Sequence, residues 1–484
     1  MLIGTAYLVS GVFQNSLWFD EAYTVGLISN DFFEMIKLAT YDVHPHLYYV
    51  LLKLFTLVFG SSFIAIRLFS VLGSVLCASL GFTHIRRDFS ERMGYTFTLV
   101  YFLCGSTLTY SLQMRMYTWA AYFVGLTALY AYRLYKGENS QKNQIIFCVF
   151  SILSAYTHHF ALFVVCAINI ALLISTIRRK EPLNNWLKLA IIQVVAYIPG
   201  AIVFLVQVLI GGASWIRVIW PDVVFNIVSY HIFGDELYAV IEQEGLYKGV
   251  GMVFLGLFVL FLLVMWKRRK EPEKYDSESE NTRTGANLAL VIFGATVLFS
   301  LIISLMRDIY YIRYTYTMHL LLVFAIAYAI SGSVQLWKRV LAIVLMALFL
   351  IYPAYVIFST HYDETNNAVV NEISPDVKEN DVFVFDSSAC YVVSAYHTSN
   401  TSYYLHNAPW PADAMRAFGK DARIVSDMDE IDFDSIDGKI YLIGKGEPYE
   451  YLTSAEDYVL TSKKSIYMKY HDYYFDISVF ERVK

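Results

Sequence analysis

Two short polar segments near the start of the chain carry the side chains best suited to chemistry. In the first, the adjacent acids Asp20 and Glu21 follow the aromatic pair Trp18 and Phe19. A carboxylate beside aromatic rings at the edge of an apolar region is partly desolvated, which favours its use as a general base. A solvated acidic pair in an outer loop is the alternative interpretation. The segment therefore predicts a proton acceptor at the mouth of a helix bundle.

The second segment, 44–49, reads His-Pro-His-Leu-Tyr-Tyr and opens an amphipathic run that is too short to cross a bilayer. His44 and His46 are suited to contact an anion, and Tyr48 and Tyr49 to pack against a lipid headgroup. An ordinary interfacial anchor, with both histidines hydrogen-bonded to the backbone, is the alternative. A divalent metal such as Zn²⁺ or Mn²⁺ could bind these histidines and the two acids, but no spacing among the four is diagnostic of a metal site.

Three further polar positions interrupt apolar runs: Arg115 with Tyr117, the pair His158 and His159, and Arg313. An arginine at membrane depth is costly unless it meets an anion, and its guanidinium matches a phosphate with two parallel hydrogen bonds. These residues predict a phosphate-binding site. Snorkelling of both arginines to the membrane interface is the alternative.

The composition explains where these residues must sit. Hydrophobic residues make up 57% of the 484 positions and charged residues 16%, and the apolar residues occur in long runs. Since about 20 apolar residues cross a bilayer core of about 30 Å, we predict an α-helical polytopic membrane protein with about 11 transmembrane helices. The predicted spans are 1–13, 62–84, 93–110, 116–134, 144–157, 159–177, 187–210, 247–266, 286–306, 311–330 and 339–358.

Charge predicts the orientation. Basic residues concentrate in alternate loops, at 86–92, 133–142, 178–188, 267–283 and 338–339. The positive-inside rule assigns these loops to the cytoplasm. The first outer loop (14–61), the other candidate residues and the tail from residue 359 then face outward. We expect a multi-pass protein of the cell membrane whose active site is extracytoplasmic.

The tail has the composition of a soluble module. The short apolar runs 381–385 and 439–443 predict strands of a small extracytoplasmic α/β domain. The chain is thus divided into a transmembrane catalytic domain, 1–358, and a C-terminal domain, 359–484. The turns after both strands lack a phosphate-loop motif, so the tail is expected to select the acceptor and to carry no catalytic group.

Two classes of protein are excluded by charge and cysteine usage. The net charge of −5 comes with no basic stripe, which excludes a nucleic-acid partner. Four of the five cysteines lie in predicted spans and only Cys390 lies in the tail, so a disulfide scaffold is excluded.

The order of the motifs resembles the bacterial family-39-type glycosyltransferases, polytopic GT-C enzymes related to protein O-mannosyltransferases and lipid A aminoarabinose transferases. The likeness covers roughly residues 15–330. It rests on the segments 19–23 (Phe-Asp-Glu-Ala-Tyr), 44–49, 67–73 (Arg-Leu-Phe-Ser-Val-Leu-Gly), 113–117 (Gln-Met-Arg-Met-Tyr), 156–159 (Tyr-Thr-His-His) and 313–314 (Arg-Tyr).

This resemblance implies a polyprenyl-phosphate-sugar donor and transfer with inversion to an acceptor glycan, lipid or protein at the outer leaflet. The first-loop acid of the family falls on Asp20, which would deprotonate the acceptor, with Glu21 in support. Where this chain has His46, the family usually has a second proline, which weakens the detailed placement of this loop but leaves His44 available to the phosphate.

The leaving group bears on the need for a cofactor. A lipid monophosphate departs with less charge than a nucleotide diphosphate, so fixed cations can stabilise it without an obligatory metal. The candidates implied by the resemblance are Arg115, His44 and Arg313.

Two other classes stay open. A lipid or saccharide transporter or flippase would also carry charge within the membrane, but it should show hydropathy symmetry between its halves. An intramembrane metallo-hydrolase should show ligands at helical spacing, such as His-Glu-x-x-His. The sequence shows neither feature.

Overall fold

A computed structural model of the chain describes residues 1–13, 17–210, 220–234, 280–332, 335–360, 370–386, 388–405, 412–444, 457–468 and 473–483, with isolated residues between these ranges. Contacts divide the chain into two compact units. The helical unit comprises 1–12, 66–202 and 216–359, and the mixed unit comprises 13–65, 203–215 and 360–484. The first outer loop therefore belongs to the same unit as the tail. The division predicted from the sequence, at residue 358, had grouped this loop with the transmembrane spans.

Helices dominate the described chain up to residue 360. Serine side chains cap the N-termini of some of these helices. The hydroxyl of Ser90 accepts from the amide of Met93 at 3.1 Å, and that of Ser140 accepts from the amide of Asn143 at 3.3 Å. In chain order the helices are α1 (Leu2–Ser10), α2 (Phe19–Ser29), α3 (Phe32–Ala39), α4 (Leu47–Phe59), α5 (Phe63–Asp88), α6 (Glu91–Leu103), α7 (Gly105–Leu112), α8 (Tyr117–Tyr135), α9 (Gln141–Thr157), α10 (His159–Arg178), α11 (Asn184–Ile210), α12 (Trp220–Phe233), α13 (Glu280–Ser304), α14 (His319–Ser331) and α15 (Leu336–Thr360).

Within the described residues, six helical segments are long and apolar enough to cross a membrane. The prediction of a helical multi-pass membrane protein is confirmed, whereas the number of about eleven spans stays a prediction. The predicted span 247–266 lies outside the described ranges. The six segments are Phe63–Asp88, His159–Arg178, Asn184–Ile210, Glu280–Ser304, Ile312–Ser331 and Leu336–Tyr355.

The predicted span 93–110 is two helices. Cys104 is extended and separates α6 from α7, which begins at Gly105. A Cβ on Gly105 would overlap the carbonyl of Phe233, so the absence of a side chain lets the end of α12 approach the start of α7. The apolar pattern alone does not report this contact.

The tail forms the small α/β domain that the sequence predicts. Its strands are β1 (Val382–Phe385), β2 (Thr401–Leu405), β3 (Ala422–Val425), β4 (Ile440–Gly444), β5 (Tyr458–Met468) and β6 (Tyr473–Arg482). The sheet order is β3-β2-β1-β4-β6-β5. The first four strands pair in parallel, and β6 pairs antiparallel with both of its neighbours, β4 and β5. One face buries Val384 and Leu442 in a hydrophobic cluster, and on the other face Phe385 stacks on Tyr404.

Candidate active site

The predicted base lies at the start of a buried helix. Asp20 and Glu21 occupy the first turn of α2, which begins at Phe19 after the extended residue Trp18. The amide groups at a helix start carry partial positive charge, which stabilises carboxylates placed there. Asp20 is half-buried and Glu21 is fully buried. This position gives Asp20 partial shelter from water together with an exposed side.

The other end of α2 carries a compensating cation. Lys53, from α4, donates through Nζ to the carbonyls of Ile28 at 2.6 Å and Asn30 at 2.9 Å. A lysine that bonds the last carbonyls of a helix is stabilised by the helix dipole. Burial lowers the pKa of Lys53, and the charge of Lys420 lowers it further, while Asp31 raises it. The two ends of α2 are thus fixed by groups of opposite charge.

His44 is oriented by a carboxylate that the sequence reasoning missed. Its Nδ1 lies 3.1 Å from Asp42 Oδ2, and the hydroxyl of Tyr49 donates to the same oxygen at 3.2 Å. Because an ionised carboxylate only accepts, Nδ1 of His44 carries a proton and a substrate atom would be met by Nε2. An acid two residues before His44 is the sequence signal that could have indicated this pair.

The loop that carries His44 is also held from α11. Gln207 donates through Nε2 to the carbonyl of His44 at 2.9 Å and to that of Ala39 at 3.3 Å. Backbone and side chain of His44 are therefore both fixed, which is what a preorganised binding group requires.

His46 and the tyrosines are packed inside the mixed unit. His46 Nε2 lies 3.2 Å from Thr40 Oγ1, and since that hydroxyl donates to the carbonyl of Ile36, His46 is the donor. Burial lowers the pKa of His46, partly offset by Asp42, so its ring is neutral near pH 7. Tyr48 and Tyr49 are fully buried, with ring centroids 5.6 Å apart. Rings buried in this way are not exposed interfacial anchors.

The helical unit brings the remaining predicted residues together. Arg115 is buried in the link between α7 and α8, and Tyr117 begins α8. The ring of His158 lies 5.7 Å from that of Tyr117 and 4.9 Å from that of Tyr314. Tyr314 follows Arg313 in a 3₁₀ helix, Ile312–Met318. The three segments predicted to contact a phosphate therefore meet around one histidine.

Local contacts fix the protonated nitrogen of His158 and the position of the Arg313 guanidinium. His158 precedes α10 and accepts the amide of Phe160 at Nδ1, at 3.0 Å, so its proton lies on Nε2. Arg313 stacks its guanidinium over the ring of Tyr311 at 4.9 Å. His159 is the first residue of α10 and is half-buried. A hydrogen-bond donor and a cation are thus held on adjoining elements.

Arg67, in α5, was noted from the sequence only as part of a motif. Its side chain is completely buried. Burying a guanidinium is expensive without anionic or polar partners, so an arginine early in an apolar span is a signal that could have placed Arg67 among the candidates. Within the described residues, no group of three or more His, Cys, Asp or Glu side chains could hold a metal ion.

Comparisons with known proteins agree with this architecture. Residues 43–204 match the family model described as dolichyl-phosphate-mannose-protein mannosyltransferase. The crystal structure of ArnT from Cupriavidus metallidurans bound to undecaprenyl phosphate matches with a TM-score of 0.59 and 10% identity, over 99% of this chain and 96% of that one. The fold is of the GT-C type. The predicted resemblance to O-mannosyltransferases and their relatives is confirmed.

The apo structure of the same ArnT matches with a TM-score of 0.58 and 12% identity, over the same shares of both chains. None of the curated protein sequences matches the chain. Identities this low make the likeness to ArnT one of fold, so the chemistry must be argued from the residues of this chain.

Proposed function

We propose that this chain is a membrane glycosyltransferase that moves a sugar from a polyprenyl-phosphate-linked donor to an extracytoplasmic acceptor, with inversion. The observation that supports this best is the placement of Asp20 and Glu21 in the first turn of a buried helix, within a GT-C fold. The undecaprenyl phosphate bound to ArnT supports a donor of the same lipid class. The acceptor class is a glycan, a lipid or a protein of the cell envelope.

Asp20 is the general base in this proposal. Its carboxylate accepts the proton of the acceptor hydroxyl, and the oxygen attacks the anomeric carbon on the face opposite the lipid phosphate. The bond between that carbon and the phosphate oxygen breaks, and its electron pair leaves with the phosphate. Asp20 is half-buried and suits this role better than Glu21, which is fully buried. Glu21 has a supporting role beside Asp20 in the first turn of α2.

The cations stabilise the departing phosphate. Arg115 and Arg313 offer bidentate donors, and His158 offers its Nε2–H, with the ring oriented by the start of α10. His44, held through its Nδ1–H by Asp42, presents Nε2, which donates to the phosphate when the ring carries both protons. Tyr117, whose ring lies 5.7 Å from that of His158, and His159 are assigned to the same donor site. These groups supply the charge that a metal ion would otherwise supply, so the proposal requires no cofactor.

The membrane arrangement follows from the same chemistry. The apolar spans hold the isoprenoid tail, and the basic loops remain in the cytoplasm. The candidate residues and the C-terminal domain are then extracytoplasmic, where a lipid-linked sugar meets envelope acceptors.

The proposal is tested by Asp20→Asn in purified, detergent-solubilised protein supplied with polyprenyl-phosphate sugars and envelope acceptors. An amide retains the shape and cannot accept the proton, so we expect transfer to fall by about 10²–10⁴. Asp31→Asn, which changes an exposed acid just before α3, is the matched control and should transfer at the wild-type rate. Wild-type transfer by Asp20→Asn would remove Asp20 from the role of base.

A further inference from the structure

The helix that carries the proposed base packs against the C-terminal domain. Phe19, Tyr23 and Gly26 are spaced so that they share one face of α2. The ring of Phe418 lies on this face, with its centroid 4.9 Å from that of Phe19 and 5.6 Å from that of Tyr23. Helix α2 also lies against the 3₁₀ helix Ser388–Tyr396. The acids of the first turn are thus adjacent to a contact made by the tail.

Gly26 makes this contact unusually close. A Cβ placed on Gly26 would overlap the carbonyl group of Phe418 and approach that of Ala417. The obstacle is backbone and not the end of a flexible side chain, so any larger residue must displace α2 from the domain. The absence of a side chain at position 26 is therefore a condition of the observed packing.

Phe418 is itself fixed within the domain. Its ring lies 5.6 Å from Tyr391 and 6.4 Å from Tyr404, and Tyr404 stacks on Phe385 at 5.3 Å. The hydroxyl of Ser394 donates to the carbonyl of Tyr391 at 2.6 Å and lies 3.4 Å from the carbonyl of Phe418. Aromatic side chains of β1 and β2 thus connect the sheet, through Phe418, to α2.

We propose that Phe418 is a positioning residue for the transfer reaction, because it sets the place of the first turn of α2 and hence of Asp20. This inference rests on the proposed function of Asp20. A catalytic group displaced by about 1 Å loses about 10²-fold in rate. The expectation that the tail serves acceptor choice alone is therefore revised: the domain carries no reacting group, and it holds the helix that does.

The first test compares Phe418→Ala, Phe418→Tyr and Phe433→Ala in the full-length protein. Phe418→Ala should lower kcat about 10- to 100-fold and leave KM for the lipid-linked sugar within about twofold. Phe418→Tyr keeps the ring and should restore the rate. Phe433 is buried in the hydrophobic cluster on the opposite face of the sheet, so Phe433→Ala controls for general weakening of the domain and should retain kcat.

The second test measures position without reference to activity. Hydrogen exchange of the amides of residues 19–29 should be faster in Phe418→Ala and in Gly26→Ala than in the wild type and in Phe433→Ala. Gly294→Ala, at a helical glycine with open space around it, is the control for adding a methyl group to a helix and should leave that exchange unchanged.

The two tests separate the two claims. Unchanged exchange in α2 for both Phe418→Ala and Gly26→Ala would show that the domain does not hold the helix and would overturn the inference. Faster exchange with an undiminished kcat would overturn it as well. A wild-type protein that transfers no sugar while these variants loosen α2 would sink the proposed function and leave the positioning of α2 by Phe418 established.

Discussion

At the scale of single residues, Asp42 and Asp20 have different roles in the proposed site. Asp42 accepts from both His44 and Tyr49 at one oxygen, so it is occupied in orienting a ring. Asp20 lies in the first turn of α2 and is half-buried. The residue types predicted Asp20 and His44 as candidates. The residue types could not predict that Asp42 is the hydrogen-bond partner of His44. Whether His44 bonds to a backbone group or to a carboxylate depends on the backbone conformation of residues 40–46.

The role of Asp42 is testable through the donor. Asp42→Asn replaces a charged acceptor by a neutral one and lets the His44 ring reorient, so kcat/KM for the lipid-linked sugar should fall about tenfold, the equivalent of about 1.4 kcal/mol. Steady-state kinetics at varied donor concentration measure this. Tyr49→Phe removes one hydrogen bond from the same oxygen, leaves the His44 pair in place and should cost less. Equal kinetics for Asp42→Asn and wild type would show that the orientation of His44 is set elsewhere.

At the scale of elements, the 3₁₀ helix Ile312–Met318 is held by a directed chain of buried hydrogen bonds. His319 Nδ1 lies 3.1 Å from His231 Nδ1, and His231 Nε2 lies 3.1 Å from Thr315 Oγ1. Since the hydroxyl of Thr315 donates to the carbonyl of Ile312, His231 donates to Thr315 and His319 donates to His231. The chain joins α12 and α14 to the segment that carries Arg313.

Sequence reasoning predicted one continuous span over 311–330 and no role for His231 or His319. The hydrophobic pattern is the same for an α-helix and for a 3₁₀ turn leading into one, and histidines 88 residues apart carry no local sign that they face each other. The tighter turn is a consequence of tertiary hydrogen bonds, which periodicity cannot report.

Removing one member of this chain should weaken the helical unit. His231→Leu leaves the Nδ1 proton of His319 without its acceptor in a buried site, which costs about 1–3 kcal/mol. The melting temperature in detergent should fall. Thr296→Ala removes a buried hydroxyl that bonds to Ile292 within α13 and is the control, with a smaller expected loss. A melting temperature for His231→Leu at or above that of the control would contradict the structural role of the chain.

At the scale of the whole molecule, the sequence predicted the elements better than their grouping. Most of the long apolar helices on described residues and the strands β1 and β4 follow from local runs of apolar residues. The association of residues 13–65 with the tail does not, because it depends on contacts such as those of Phe19 and Gly26 with Phe418. The sequence shows that position 26 is a glycine, but the backbone that packs against it, at Phe418, is almost 400 residues away in the chain.

Two histidines of the mixed unit make its stability depend on pH. Burial lowers the pKa of His397, whose Nε2 lies 3.1 Å from Ser374 Oγ. Burial also lowers the pKa of His46, against a smaller opposing effect of Asp42. Both rings therefore bind a proton less readily in the folded protein than in the unfolded chain, whose histidines titrate near pH 6.5. Stability is at its full value above that pH and falls as the pH is lowered toward the folded pKa values.

The final prediction follows from this sign. Thermal unfolding measured between pH 5 and 8 should show a melting temperature that declines below about pH 6.5, and His46→Gln combined with His397→Gln should flatten the decline. Each histidine contributes at most about 1.4 kcal/mol per pH unit, and less here because both rings are partly exposed. Lys37→Gln, an exposed change on α3 that keeps both histidines, should retain the wild-type slope. If the double variant loses stability with acid as steeply as the wild type, other groups control the acid response and burial of these two rings does not.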